Sequence, residues 1–308
     1  MLIDETNKEK ILFSKCCDDW LKMKQNSVKE SSYLNYKFKI EKHLKSVLGG
    51  KNIVELSQYD MNKFIQAKKE ETDATGIQDI VIVLKSILRY TKKKYNIDYD
   101  LDFNSGFKSN LEEIEVFNEK EKQKLYRYLT NSNDIKTLGI LISLYSGLRI
   151  GEVCGLKWED IDFENKLIQV KRTVQRVYVG KDKESKVIIT APKTRKSARK
   201  IPISKVLLEK LMQFAPHYSK DCYIITGVPN KSAEPLTYRY TYKQVLIKCN
   251  IPYRKFHCLR HTFATRCIRV GMDIKSLSEV LGHSNIGITM NIYVHSSYEE
   301  KKKYIDKI

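Results

Sequence analysis

Residues 257–261 read His-Cys-Leu-Arg-His and lie inside an interval, 235–272, that contains no carboxylate. On a helix, His257 and Arg260 are three positions apart and share one face, so both side chains could reach a single phosphate. His257 and His261 have the spacing of a zinc-binding pair, but Cys258 stands where the HExxH motif has its glutamate. The stretch therefore predicts an anion-binding helix and no metal site.

Positive charge dominates the sequence on both sides of this motif. The 308 residues include 56 Lys and Arg against 37 Asp and Glu, a net charge of +19. The acid-free interval 235–272 holds eight basic residues, and a second such interval, 185–208, holds seven. Surfaces of this kind suit a polyanion, because Lys and Arg that bind phosphates release its counterions. The same shortage of clustered acids argues against a two-metal nuclease.

Composition excludes several classes of protein. Hydrophobic residues make up 42% and charged residues 30% of the chain, which is typical of a globular protein with a core. The seven cysteines include no CxxC pair, so they predict free thiols in a reducing cytosol rather than a disulfide framework or a zinc knuckle. The charged N-terminus does not resemble a signal peptide, and no apolar stretch approaches the ~18 residues of a membrane-spanning helix. We expect a cytoplasmic protein.

The chain divides into two parts of different charge. Residues 1–110 carry a net charge of +4, and residues 111–308 carry +15. Between the folded parts, an acidic, turn-rich stretch that includes Asn104-Ser105-Gly106 predicts a linker. The expected organisation is a first domain over 1–104, a linker over 105–116 and a second domain over 117–308 with a tail at 296–308.

Helical periodicity dominates the first part. The chain contains only 13 Gly and 6 Pro, which favours long helices over an all-β sandwich. Four apolar stripes recur there at helical spacing, and Leu12, Cys16, Trp20 and Met23 form the first of them. The stripes predict four helices whose apolar faces build a core.

The second part combines helices with a small sheet. Asn118 and Glu121 predict a capped helix start, and an apolar run over 138–145 predicts a buried helix that Ser146-Gly147 ends. Alternating or β-branched segments follow at 167–170, 173–179, 187–190 and 201–203. They predict a three-stranded antiparallel sheet, so the expected fold class is mainly α with a small antiparallel β-sheet.

Further polar residues extend the motif at 257–261. Arg149 follows the glycine break and Glu152 lies three residues on, able to brace its guanidinium, although a purely structural Arg–Glu pair would have the same sequence. Leu281-Gly282 predicts a helix end that leaves His283 at a corner, and Tyr293 follows on the next helix. The result is an ordered set of guanidinium, imidazole and phenol groups.

This ordered set resembles the tyrosine recombinases, the family of phage and transposon integrases, over nearly the whole chain. The resemblance implies a two-domain DNA clamp, with a helical SAM-like core-binding domain over 1–104 and an α+β tyrosine-recombinase catalytic domain over 117–308. The family also has a lysine in a β-hairpin. Lys193 in Ala191-Pro192-Lys193-Thr194 fits it best, and Lys196 is the alternative.

The resemblance further implies that the protein cleaves and rejoins DNA through a 3′-phosphotyrosine, with no metal and no cofactor. The implied roles are phosphate binding by Arg149 and Arg260, hydrogen bonding by His257 and His283, attack by Tyr293, protonation of the leaving 5′-oxygen by Lys193, and support from Glu152 and His261. His257 is also the expected acceptor of the nucleophile's proton. Tyr298 and Tyr304 are weaker candidates for the nucleophile, because they lie among Glu and Lys residues typical of a solvated helix.

The partner that the resemblance implies is double-stranded DNA. It implies a homotetramer on two recombining sites, a monomer or weak dimer off DNA, and accessory DNA-bending proteins. The residues expected to bind DNA around the reaction centre are Ser32, Tyr36, Lys37, Lys39, Lys85, Arg89, Lys93, Arg195, Lys196, Arg254 and Lys255. The tail at 296–308 is expected either to dock on a neighbouring protomer or to form a plain terminal helix.

Several alternatives stay open at this point. Helical pattern begins by about Lys8, which leaves no room for the arm-binding domain of larger integrases, so either the protein acts on core sites alone or a segment has been trimmed. A type IB topoisomerase would use nearly the same residues to relax DNA. A repressor or decayed integrase would bind DNA without cleaving it. The sequence does not distinguish integration from excision, inversion or dimer resolution, and it does not reveal the target site.

Overall fold

The computed structural model describes residues 11–97, 101, 103, 115–179, 184–191, 198–293, 302 and 305–306. The chain forms two compact units: residues 1–111 with 177–186 form the first, and residues 112–176 with 187–308 form the second. The expected linker falls mostly outside the described residues, so the domain boundaries stay a prediction. The predicted fold class, mainly α with a small antiparallel β-sheet, is confirmed.

The first unit is a set of helices around one apolar core. Its helices are α1 (Phe13–Gln25), α2 (Glu30–Lys39), α3 (Lys45–Leu48), α4 (Gln58–Glu71) and α5 (Ala74–Tyr95), with a π-helical segment at Ile40–Leu44 and a 3-10 turn at Ile53–Glu55. Ser57 caps α4 and Asp73 caps α5. The first predicted stripe is wrong at its two ends, since Leu12 and Met23 are exposed. The buried face of α1 consists instead of Phe13, Cys16, Cys17, Trp20 and Leu21.

Helices also provide most of the second unit. They are α6 (Glu119–Asn131), α7 (Ile135–Ser146), α8 (Ile150–Cys154), α9 (Lys205–Phe214), α10 (Pro235–Lys248), α11 (His257–Arg269), α12 (Ile274–Leu281) and α13 (Ile286–Tyr293). Asn118 and Glu121 form the predicted capping box at the start of α6, with both hydrogen bonds at 2.9 Å. α7 is apolar on all sides because it lies at the centre of the unit, where it packs against α11. Arg149 lies at the start of α8, and Arg260 lies near the start of α11. Both helices pack against α7, so α7 supports both arginines.

The strands are grouped differently from the expected single sheet. β1 (Ile161–Asp162), β2 (Leu167–Gln169) and β5 (Lys200–Pro202) form an antiparallel sheet in the order β1-β2-β5. β3 (Thr173–Tyr178) and β4 (Ser185–Thr190) form a separate two-stranded sheet. The physical reason is that β1 and β5 already occupy both edges of β2. In the part of the chain described here, no helix combines the length and apolar character needed to cross a bilayer.

Candidate active site

The C-terminal end of α12 collects three guanidinium groups. Three arginines from separate elements each donate to one of three successive carbonyl oxygens there: Arg199 Nε to Val280 at 2.5 Å, Arg260 Nη2 to Leu281 at 2.8 Å and Arg149 Nη2 to Gly282 at 3.4 Å. The last carbonyl oxygens of a helix lack partners within the helix and form the negative end of its dipole. The end of α12 thus favours cations and places these three close together.

A left-handed turn at Gly282 ends α12 and shapes this corner. Its φ of +67° is a conformation that side chains rarely adopt, and a Cβ there would lie 3.0 Å from the side chain of Arg199. His283 follows directly, and Asn285 Oδ1 accepts from the backbone N–H of Gly287 at 2.8 Å as α13 begins. The predicted helix end and corner are both present.

Glu152 links two of the arginines. Its Oε1 accepts from Arg149 Nη1 at 3.1 Å and from Arg199 Nη1 at 3.0 Å, and its Oε2 accepts from the Arg149 backbone N–H at 2.9 Å and from Arg199 Nη2 at 3.1 Å. Burial alone would raise the pKa of this carboxyl, but the hydrogen bonds and charge of Arg199, with the charge of Arg149, outweigh burial and lower it. Glu152 is therefore ionised at neutral pH and braces Arg149, as the sequence predicts.

Sequence reasoning missed Arg199. Its side chain is only 6% exposed, and it bridges Glu152 to the end of α12. One signal was available, since an arginine at the start of a strand inside an acid-free interval needs a distant carboxylate if it is buried. Nothing in the local spacing identified that carboxylate as Glu152.

Arg260 is buried without a carboxylate partner. Its guanidinium donates to the carbonyl oxygens of Gly147 and Leu281, both at 2.8 Å, and the side chain is 1% exposed. Among the described residues no acid lies within ion-pair distance, and its buried Nε has no hydrogen-bond acceptor. Burial, with the charge of Arg149, lowers its pKa to about 9. A buried guanidinium with an N–H left over is costly unless an anion completes it.

Three histidines surround the guanidinium groups. The pKa of each of His257, His261 and His283 is lowered to about 4, first by desolvation and then by neighbouring positive groups, Arg260 among them. The ring of His257 still reaches solvent at the N-terminal end of α11. All three rings are neutral at pH 7, so each offers both a donor and an acceptor nitrogen.

Two of these rings have assigned hydrogen bonds. The Nδ1 atom of His283 lies 2.8 Å from Oγ1 of the buried Thr289, a second residue that sequence reasoning missed. The Nδ1 atom of His261 lies 2.7 Å from the phenol oxygen of Tyr293. The ring of His257 meets that of His261 edge-on, with 4.5 Å between centroids.

Tyr293 lies at the end of α13, against a small apolar cluster formed by Ala264, Leu277 and Leu281. Burial raises the pKa of its phenol to about 12, while the charges of Arg260 and Arg149 act in the opposite direction. The phenol is therefore protonated at neutral pH in the DNA-free protein, within the field of both guanidinium groups. An anion bound at these guanidinium groups would therefore share one cluster with the Tyr293 hydroxyl.

The structure thus brings together seven of the predicted site residues: Arg149, Glu152, His257, Arg260, His261, His283 and Tyr293. Lys193, Arg195 and Lys196 lie outside the described residues. Within the described ranges, no group of three or more His, Cys, Asp or Glu side chains could hold a metal ion.

The other residues predicted to contact DNA differ in their surroundings. Lys37, Arg89, Lys93 and Lys255 are exposed, and Ser32 is half-buried. Side-chain partners engage the rest: Tyr36 stacks edge-on against Trp20, Lys85 lies over Phe103, Lys39 pairs with Asp79 at 2.8 Å, and Arg254 pairs with Glu121 at 2.8 Å. Arg254 therefore stabilises the capped start of α6.

Comparisons with known proteins find similar sequences and folds over most of this chain. Residues 115–300 match the model of the phage integrase family, and residues 12–69 match its N-terminal SAM-like domain. A tyrosine recombinase XerC-like protein of Caldanaerobacter subterraneus subsp. tengcongensis is 36% identical over 213 residues, which cover 64% of this chain and 54% of the relative. The transposase from transposon Tn916 of Enterococcus faecalis is 30% identical over 175 residues, which cover 52% and 42%. The chain spans about half the length of these curated relatives.

More distant matches cover nearly the whole chain. The integrase of Staphylococcus phage L54a is 23% identical, and the match covers 97% of this chain and 92% of that protein. The Tn1549 transposon integrase, solved with a circular intermediate DNA, superimposes with a TM-score of 0.79 at 22% identity and covers 97% of this chain and 99% of that one. A lambda integrase dimer bound to a COC' core site gives a TM-score of 0.66 at 15% identity, over 94% and 97%. These structural likenesses show the shared fold, and the family match over more than half of the chain shows that the protein belongs to the phage integrase family of tyrosine recombinases.

Proposed function

We propose that this protein is a site-specific DNA recombinase that cleaves and rejoins strands through a 3′-phosphotyrosine intermediate. One observation carries the proposal. The buried guanidinium of Arg260 lacks an anionic partner among the described residues and lies in the same cluster as Arg149 and the phenol of Tyr293. A DNA phosphate supplies the missing anion and is also what a tyrosine hydroxyl can attack.

The two arginines bind the phosphate. Its charge grows on the way to a pentacovalent state, and planar guanidinium groups can donate to two non-bridging oxygens at once. Because the end of α12 and Glu152 hold these groups before the substrate arrives, little reorganisation is needed during reaction. Loss of one such donor typically costs ~3–4 kcal/mol of barrier.

Tyr293 is the nucleophile in this proposal. Its oxygen attacks phosphorus and forms the phosphotyrosine, and the P–O5′ bond breaks. Lys193, or Lys196, would protonate the leaving 5′-oxygen, and His257 and His283 would donate hydrogen bonds to the phosphate. The energy kept in the phosphotyrosine lets a 5′-hydroxyl of a partner strand reverse the reaction, so no ATP is consumed.

The remaining assignments follow the relatives. A lambda integrase tetramer has been solved on a Holliday junction, and we propose a homotetramer on two recombining sites here. Residues 1–104 would bind the core site as a separate domain, 117–308 would carry catalysis, and the tail at 296–308 would contact a neighbouring protomer. We place the protein in the cytoplasm, on the nucleoid.

Covalent trapping tests the proposal. Nicked duplexes that tile the genomic DNA on both sides of the gene are incubated with the parent and with Tyr293→Phe, and denaturing gels reveal protein–DNA adducts. We expect adducts with the parent only and equal DNA binding by both proteins. Binding without adducts would indicate a non-catalytic DNA-binding protein, and relaxation of a supercoiled plasmid by a monomer would indicate a topoisomerase.

A further inference from the structure

Tyr293 has a hydrogen-bond partner that the family resemblance did not assign to it. The phenol oxygen lies 2.7 Å from Nδ1 of His261, with 5.6 Å between the two ring centroids. The other histidines of the cluster are engaged differently. Thr289 occupies Nδ1 of His283, and the ring of His257 packs on the ring of His261.

We propose that His261 is the catalytic residue that accepts the phenol proton when Tyr293 attacks the phosphate. This inference rests on the proposed recombinase function, because it names the proton acceptor for that reaction. It replaces His257 in the role that the sequence suggested. The contact is direct, so no water or further side chain has to carry the proton.

The step is balanced as follows. The phenol O–H bond of Tyr293 breaks, its proton passes to Nδ1 of His261, and the oxygen forms the new bond to phosphorus. The P–O5′ bond breaks, and the 5′-oxygen takes a proton from the general acid. In rejoining, a 5′-hydroxyl attacks phosphorus and gives its proton to the general acid that was deprotonated during cleavage. The bond between phosphorus and the phenol oxygen breaks, and His261 returns its proton to that oxygen.

The surroundings of His261 keep its ring neutral, so one of its two nitrogens is available to accept a proton. The groups that face it are His257 and Arg260 on its own helix, Tyr293 on α13 and His283 at the corner between α12 and α13. Burial and the charge of Arg260 lower the pKa of His261 to about 4, so the ring is neutral and Nδ1 can accept when Nε2 carries the hydrogen. A phosphate at the guanidinium groups adds negative charge close by, which raises the proton affinity of the ring only when substrate is bound.

Chemical rescue provides the test. Single-turnover cleavage of a nicked duplex that traps the adduct is measured for the parent, His261→Ala and His257→Ala, each with and without added imidazole. We expect His261→Ala to be ~10²–10⁴-fold slower and to regain much of its rate with imidazole, whereas His257→Ala is slower but unchanged by imidazole. His217→Ala is the matched control, because His217 is an exposed histidine in a different segment, and it should cleave at the parental rate.

A second variant guards against misfolding. His261→Gln keeps a side chain of similar volume, and thermal unfolding and DNA affinity verify that it folds and binds. We expect the parental cleavage rate to rise with pH along an acid limb, and His261→Gln to lose that limb together with most of its rate.

The possible outcomes separate the two proposals. Suppose that the parent forms adducts. An unchanged or faster cleavage rate in His261→Ala, or rescue of His257→Ala by imidazole instead, would then overturn the role of His261. Either result would leave the recombinase function standing. Absence of adducts with the parent on every duplex would overturn the recombinase function and this role with it.

Discussion

Both terminal nitrogens of the Arg199 guanidinium donate hydrogen bonds to the carboxylate of Glu152, at 3.0 and 3.1 Å, although the two residues are 47 positions apart in the sequence. The same carboxylate holds Arg149. In the proposed reaction Arg199 would be a positioning residue, because it donates to Glu152, which in turn accepts from Arg149. Its positive charge offsets part of the negative charge of Glu152, the carboxylate that also pairs with Arg149.

Loss of Arg199 should therefore affect both folding and cleavage. Arg199→Met leaves Glu152 with one guanidinium partner, and we expect the free energy of unfolding to fall by about 3 kcal/mol and cleavage to slow about 10-fold. Urea denaturation and single-turnover cleavage measure the two effects. Arg172→Met is the matched control, since Arg172 pairs with the buried Asp160 at 2.7 Å, and it should lose stability but keep the cleavage rate. An equal slowing in both variants would contradict a positioning role for Arg199.

Arg260 should bind anions at a cost to the stability of the free protein. Arg260→Gln removes a buried charge that has no acid partner among the described residues, so we expect little change or a gain in thermal stability. Cleavage should fall ~10²–10³-fold. Added sulfate should raise the Tm of the parent more than that of Arg260→Gln, because only a protein with the site intact gains from ligand binding.

The exposed Arg89, in the first unit, supplies the control for Arg260. Arg89→Gln should respond to sulfate like the parent. Equal stabilisation of parent and Arg260→Gln by sulfate would show that Arg260 does not bind an anion.

Acid should destabilise the protein below about pH 6.5. His257, His261 and His283 have a pKa of about 4 when folded and one near ~6.5 when unfolded. Between these values only the unfolded chain takes up protons, so stability falls as the pH drops through that window. We expect a loss of roughly 2 kcal/mol between pH 7 and pH 4.5, well below the full value of the shifts because the rings keep some contact with solvent.

Urea midpoints at the two pH values check this prediction. His43 in the first unit also has a lowered pKa and contributes to the same trend. The double variant His261→Gln, His283→Gln should therefore lose less stability on acidification than the parent but still lose some. An equal loss in both proteins would place the acid sensitivity outside the site.

Gly282 should be sensitive to a single added methyl group. Gly282→Ala puts a side chain at a φ of +67° and 3.0 Å from Arg199, so we expect a loss of about 2 kcal/mol in stability and slower cleavage, because His283 follows directly. Gly271→Ala is a close control, since its φ is +89° but a Cβ there meets nothing within 4 Å. It should lose about 1 kcal/mol and keep its cleavage rate, and equal cleavage by both variants would contradict a role for the Gly282 corner.

Several features could be predicted from the sequence because they depend on residues that are close together in the chain. Asn118 and Glu121 meet within one helical turn, and Gly147 and Gly282 adopt the left-handed turns that end α7 and α12, so their neighbours in the chain were sufficient to predict them. The order of Arg149, His257, Arg260, His283 and Tyr293 indicated the family, which the comparisons show. The catalytic roles of these residues stay predictions.

Other features depend on which distant segments meet. Arg199 contacts Glu152 and Val280 because the pairing of β5 with β2 places it at the end of α12. The spacing of these residues along the chain does not predict that contact. The sequence also did not predict whether His257 or His261 is the hydrogen-bond partner of Tyr293, because the two histidines lie one turn apart on α11. The packing of α13 decides which ring the phenol reaches. Helix ends and motif order are encoded over a few residues, whereas hydrogen-bond partners across the site are set by long-range packing, which no short stretch of sequence contains.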